Sequence, residues 1–112
     1  MMYYDFIAGG KEYKLRLNTR ATVLLEKQLE CNPISIFGAG DKLPTVTTMV
    51  TILHASLQQY HHGIDMNEAY NIFDAWIADN HAITDFVAVI IELYKVSGII
   101  KIDEEPTTIE KN

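Results

Sequence analysis

Residues 82–98, AITDFVAVIIELYKVSG, determine which fold class is open to this chain. If the segment is helical, Ile83, Phe86, Val87, Val89, Ile90, Ile91, Leu93, Tyr94 and Val96 leave almost no polar stripe. It then needs cover on more than one side, from other elements or from another subunit. The Val and Ile content also suits a buried strand, but a length of about 15 residues and the Ser97-Gly98 stop favour a helix. Thr84 is placed to cap it and Asp85 suits its first turn. This segment is expected to be the most buried helix of the protein.

The elements before it are marked by their own punctuation. Residues 3–8 and 11–17 flank Gly9-Gly10, a pair that suits a two-residue hairpin turn with positive φ at both positions. In the second arm Tyr13, Leu15 and Leu17 share one face while Glu12, Lys14 and Arg16 share the other, so one face is wet. A two-stranded ribbon is marginal alone, so its tyrosines and leucines are expected to lie across helices. A helix capped by Asn18 or Thr19 should run to about residue 30, with Ala21, Leu24, Leu25 and Leu29 on one broad face, and end at Asn32-Pro33. A short turn over residues 33–37 and an exposed loop over 38–42 follow.

The next helix is expected from Thr45 or Val46 to about residue 60, with Val46, Met49, Val50, Leu53 and Leu57 on its apolar face and threonines and glutamines opposite. Gly63 can stop it. Asp65, with Glu68 three residues on, caps a third helix that presents Ala69, Ile72, Phe73, Trp76 and Ile77. The short Asn80-His81 link makes the last two helices expected antiparallel neighbours. After Gly98, residues 99–102 form a short strand or pack along the surface. The fold class is therefore mainly α (α+β), an N-terminal β-hairpin packed on a compact bundle of four principal helices. Its expected division is one globular domain over residues 1–102 and a flexible acidic C-terminal tail over 103–112.

Composition narrows the function classes. A chain of 112 residues with 48% hydrophobic content and mean hydropathy of +0.02 can build one globular core. The longest apolar run, residues 86–91, is too short to span a bilayer, and the first residues lack the order of a secretory signal, so a cytoplasmic protein without membrane contact is expected. A lone Cys31 agrees with a reducing compartment. Net charge is −6, and residues 43–94 hold no lysine or arginine; their acids are Asp65, Glu68, Asp74, Asp79, Asp85 and Glu92. Such a surface repels phosphate backbones, so direct nucleic-acid binding is not expected.

No catalytic or metal constellation emerges. His54, His61, His62 and His81, with Asp65 and Glu68, are ligand types for zinc, but three or four must converge, and their spacing does not define a site. Cys31 or Ser56 as nucleophile would need a histidine base and Asp65 or Asp85 as orienter within hydrogen-bond reach, which the spacing does not imply. No enzyme activity, cofactor or metal is expected. The aromatic residues lack the interleaved cations of a single-strand binding platform and are better explained as core filling.

The ordered set YDF (4–6), GGKEYKLRL (9–17), TRATVLLEKQL (19–29), LPTVTTMVTILHASLQQYHHGI (43–64), YNIFDAWI (70–77) and TDFVAVIIELYKVSG (84–98) resembles the tail assembly chaperone-like proteins of Gram-positive prophages and siphophages. The match is one of whole pattern, covers nearly the whole chain, and includes no catalytic motif. It implies a non-enzymatic protein of the bacterial host cytoplasm that binds the long helical tape measure protein during tail assembly and is absent from the finished particle. It further implies a contact with tail tube protein through a longer, frameshifted form. The alternative is a structural head-tail connector or tail-completion subunit retained in the virion.

Recognition of a long helix suggests a helix-in-groove mode. The candidate faces are Met49, Leu53 and Leu57 on the second helix and Phe73, Trp76 and Ile77 on the third, each only if folding leaves it partly open. The apolar excess of residues 86–96 also suggests a homo-oligomer.

Overall fold

The computed structural model describes residues 2–37 and 43–101. The expected loop at 38–42, the tail at 103–112 and Ile102 lie outside the described residues. The fold is α+β and mainly helical: an antiparallel hairpin, β1 (Tyr4–Ala8) and β2 (Lys11–Leu15), followed by α1 (Thr19–Leu29), α2 (Val46–Leu57), α3 (Met66–Ala78) and α4 (Phe86–Ser97). Short 3-10 turns at Pro33–Phe37 and Ile83–Asp85 link them.

The hairpin is set by its turn. Gly9 and Gly10 have φ of 59° and 79°, a left-handed pair that L side chains resist, and the register places Ala8 opposite Lys11 and Tyr4 opposite Leu15. Alternation then sends Phe6, Ala8, Tyr13 and Leu15 into the core, while Asp5, Ile7, Glu12 and Lys14 face outward. Helix ends bind the outer edge of β2 and the chain just beyond it. The Lys14 amide donates to His61 Nε2 at 2.8 Å, the Arg16 amide to the Ser56 carbonyl at 2.9 Å, and the Leu17 amide to Ser97 Oγ at 2.9 Å. The Arg16 guanidinium donates to the carbonyls of Met2 and Val96, a cation placed where the α4 C-terminus favours one. The turn itself is tied to the end of α3, where the Gly9 amide donates to Asp79 Oδ2 at 2.8 Å.

Side-chain caps start α1, α2 and α3 as their sequences predict, whereas α4 has no side-chain cap because Thr84, expected to supply one, lies inside the Ile83–Asp85 turn. Asn18 accepts from the Ala21 amide, Thr45 from the Thr48 amide and Asp65 from the Glu68 amide. Glu30 and Gly98, both left-handed, stop α1 and α4. At the other junction Asp85 accepts from the Ala82 amide across the turn that leads into α4.

The most enclosed helix is α2 rather than α4. From Met49 to Leu57 every residue of α2 except His54 is buried, whereas α4 buries Phe86, Val89, Ile90, Leu93 and Tyr94 and leaves Val87, Ile91 and Val96 half-covered. The threonine-rich side of α2 looked wet in sequence. It closes because the Thr51 hydroxyl donates to the Thr47 carbonyl and the Ser56 hydroxyl to the Leu53 carbonyl, which satisfies both groups inside the helix. The second helix accordingly packs on α1, α3, α4 and β2 together. Nor do α3 and α4 lie side by side; they meet chiefly where Phe73 and Trp76 touch Phe86, with ring centroids 5.1 and 5.3 Å apart. Asn80, at φ 73°, and the Ile83–Asp85 turn redirect the chain between them. Phe6 of β1 completes this aromatic joint against Trp76 and Phe86.

Past Gly98, Ile99 and Ile100 pack along the core without forming a strand, their amides donating back to the Tyr94 carbonyl. The Tyr94 side chain is itself buried, and its hydroxyl donates to the Pro33 carbonyl at 2.9 Å, which ties α4 to the Pro33–Phe37 turn.

Although α2 takes the centre, Ile90 of α4 is 0% exposed. Replacing it with alanine is expected to cost about 2–5 kcal/mol in equilibrium urea unfolding. A loss below about 0.5 kcal/mol would take α4 out of the core.

Candidate protein-binding face

Both apolar stripes singled out from the sequence are closed. Met49, Leu53 and Leu57 lie inside the core, and so do Phe73 and Trp76; of the six, Ile77 alone keeps a half-exposed surface. The condition under which these residues were candidates, a stripe left partly open, is therefore not met at Met49, Leu53, Leu57, Phe73 and Trp76. Met49, Leu53 and Leu57 are covered because α2 is surrounded by other elements, and Phe73 and Trp76 because they fill the joint between β1 and α4. One face of the Trp76 indole is covered by His81, whose ring lies parallel to it at 9° with centroids 4.3 Å apart.

Among the described residues Ile7 of β1, Val46 of α2 and Tyr70 of α3 are exposed singly, and α1 alone of the regular elements exposes two adjacent large apolar residues. Val23 is 43% and Leu24 36% exposed, although Leu24 had been expected to face inward. The cause is geometric. Val23-Leu24-Leu25 are consecutive, and at about 100° per residue they sweep about 200° of the helix, so they cannot all face one core. Leu25 and Ala21 take the centre of the buried face, Leu29 its edge, and the other two are left outside. Three consecutive apolar residues on a helix of ordinary length were the signal in the sequence.

The polar surroundings of this pair are specific. Arg20 precedes it by one turn and Lys27 follows it by one turn, both on the same face. A groove of about 320 Å³ runs beside the pair toward the end of α2 and is lined by Arg20, Ala21, Leu24, Gln58, Gln59 and His62. It contains no carboxylate. A second depression lies toward Ser97, Gly98 and Ile99 and mixes Arg16 with Glu26. The arrangement is a ridge with a groove on each side, suited to an elongated partner laid along α1 rather than to an enclosed small molecule.

The remaining polar candidates have structural duties or stand apart. Ser56 is fully buried and its hydroxyl is held by the Leu53 carbonyl, so it is not presented as a nucleophile. Cys31 is exposed. Among the described residues no group of three or more His, Cys, Asp or Glu side chains is placed to hold a metal ion. His62 and His81 are exposed, and His54 is partly buried with a buried Nδ1 that has no hydrogen-bond partner. The His61 ring packs edge-on to Tyr13 at 5.2 Å, and its Nε2 is the acceptor for the Lys14 amide.

Among the described residues no helix is long and apolar enough to cross a membrane. Residues 5–111 match the model of the family described as "Family of unknown function (DUF6096)", and the chain belongs to that family. No curated protein and no solved structure matches it.

The His61 contact makes stability depend on pH. Burial, and then the charges of Lys14 and Lys11, hold the His61 pKa below its ordinary 6.5, because the acceptor nitrogen must stay unprotonated. Below that pH the unfolded chain takes up a proton that folded His61 resists. The contribution is therefore complete above pH 6.5 and is lost as pH falls through the depressed folded value. Thermal melts at about pH 7.5 and about pH 5 should show a smaller loss on acidification for His61→Gln, which keeps an acceptor without titrating, than for the parent. An identical loss in both proteins would remove His61 from the pH response.

Proposed function

We propose that this protein is a non-enzymatic phage tail assembly chaperone that holds the long helical tape measure protein in the host cytoplasm through the outer face of α1. The observation that carries the proposal is the exposed Val23-Leu24 pair on α1 with a groove on either side, a geometry that fits an amphipathic helix. The whole-pattern sequence resemblance selects the partner. A longer frameshifted form would add the contact with tail tube protein, and that contact would use residues beyond this chain.

The size of the face bears on how such a chaperone works. Fully burying a leucine or valine side chain contributes about 1.5–3 kcal/mol, and both residues are already partly covered, so the pair contributes less than twice that amount. A micromolar complex needs about 8 kcal/mol. One copy therefore grips weakly. Many copies along a long repetitive helix keep its apolar surface covered, and each leaves readily when tube subunits polymerise in its place.

Co-expression with the tape measure protein of the same tail gene cluster tests the proposal. The parent chain is expected to co-purify with it, while Val23→Gln combined with Leu24→Gln should lower recovery by about tenfold or more without lowering the melting temperature appreciably. Mass spectrometry of purified particles should find the protein missing. Abundant protein in particles, with no tape measure protein recovered from lysate, would instead identify a connector or tail-completion subunit.

A further inference from the structure

We infer that the outer face of α1 centred on Val23 and Leu24, together with the groove toward the end of α2, selects an acidic amphipathic helix as its occupant. This deepens the chaperone reading and rests on it for the identity of the protein that supplies the helix. The molecule as a whole is acidic, with 15 Asp and Glu against 9 Lys and Arg, yet this groove is lined without a carboxylate. Arg20 and Lys27 stand one turn to either side of Val23 and Leu24 on the same face; Arg20 also lines the groove toward α2, and Glu26 lies on the far side of Val23 in the other depression. A helix whose apolar stripe covers that pair brings its flanking side chains against the two cations. Glutamates there complete ion pairs as water is displaced, and lysines meet like charges. The net charge of −6 disfavours an acidic ligand over the molecule as a whole, so the two cations beside the apolar pair bias where such a partner lands.

Other occupants fit less well. In a two-fold antiparallel pairing of α1 with a second copy, centred on Val23 and Leu24, Arg20 would meet Lys27 of the other copy. A parallel pairing would set Arg20 against itself. Both are unfavourable. A third nearby cation does not enlarge the site toward nucleic acid, because Arg16 lies in the other depression with Glu26 and its Nη1 is directed to the Met2 and Val96 carbonyls. An anionic membrane surface would act against the whole molecular charge.

Titration calorimetry on the full chain tests the assignment with two synthetic stapled helical peptides of about 20 residues, which share one Leu/Ala stripe and carry either Glu or Lys beside it. The Glu peptide is expected to bind about tenfold more tightly than the Lys peptide at about 50 mM salt, with the gap closing at about 500 mM. Arg20→Glu combined with Lys27→Glu should invert the preference while leaving the melting temperature near that of the parent. Equal affinities, a preference for the Lys peptide, no binding of either peptide, or a preference untouched by the double variant would each overturn the inference. So would binding of phosphatidylglycerol vesicles that is lost in the double variant, which would reassign the face to lipid. If the inference fails while the tape measure protein still co-purifies and depends on Val23 and Leu24, the charge selection falls and the chaperone reading stands. If the Glu peptide binds as expected but no tape measure protein co-purifies, the groove stands and the chaperone reading falls.

Discussion

The amide groups along the outer edge of β2 have no third strand to pair with, and the rest of the molecule is built around how they are satisfied. A two-stranded ribbon exposes a row of unpaired donors and acceptors on each edge and is marginal in isolation. Here His61 and Ser56 of the α2 end and Ser97 of the α4 end supply acceptors to Lys14, Arg16 and Leu17. Two helices distant in sequence are thereby brought to one strand. The hairpin is held flat across the bundle, and Phe6 is carried into contact with Trp76 and Phe86. Because α1 begins directly beyond Leu17, the same clamps position α1 beside the ends of α2 and α4, and those two ends form the far walls of its flanking grooves.

Local signals in the sequence carried the order and type of the elements. Gly9-Gly10 specified the turn, Asn18, Thr45 and Asp65 specified helix starts, and Gly98 specified a stop, because each acts through backbone groups within a few residues. What stayed hidden was which faces meet. Thr51 and Ser56 made one side of α2 look solvated, yet a hydroxyl that bonds to its own helix can be buried without an orphaned donor. Met49, Leu53, Leu57, Phe73 and Trp76 were candidates because an apolar stripe is the same in sequence whether a core or a partner covers it. Only the arrangement of the other elements distinguishes the two. The α1 face was misassigned for a related reason: periodicity gives the direction of an apolar face better than its width, and Leu24 falls just past the edge.

Closure of those stripes also bears on the proposed chaperone role. Among the described residues the core closes on itself, so in that proposal association need not be coupled to folding, and the face on α1 is carried by a formed helix. Little ordering entropy would then oppose docking on the protein's side, as the proposed repeated contact along a tape measure protein requires.

The chain contains a single tryptophan, and its position makes it a natural optical probe with a restricted field of view. Trp76 is 4% exposed, enclosed by Phe6, Phe73 and Phe86 and roofed by the imidazole of His81. None of those rings belongs to α1 or to the grooves beside it. Its fluorescence therefore reports the integrity of the joint between hairpin, α3 and α4. Substitutions on α1 touch none of these rings, so an unchanged emission colour in a variant of that surface reports an intact joint between hairpin, α3 and α4.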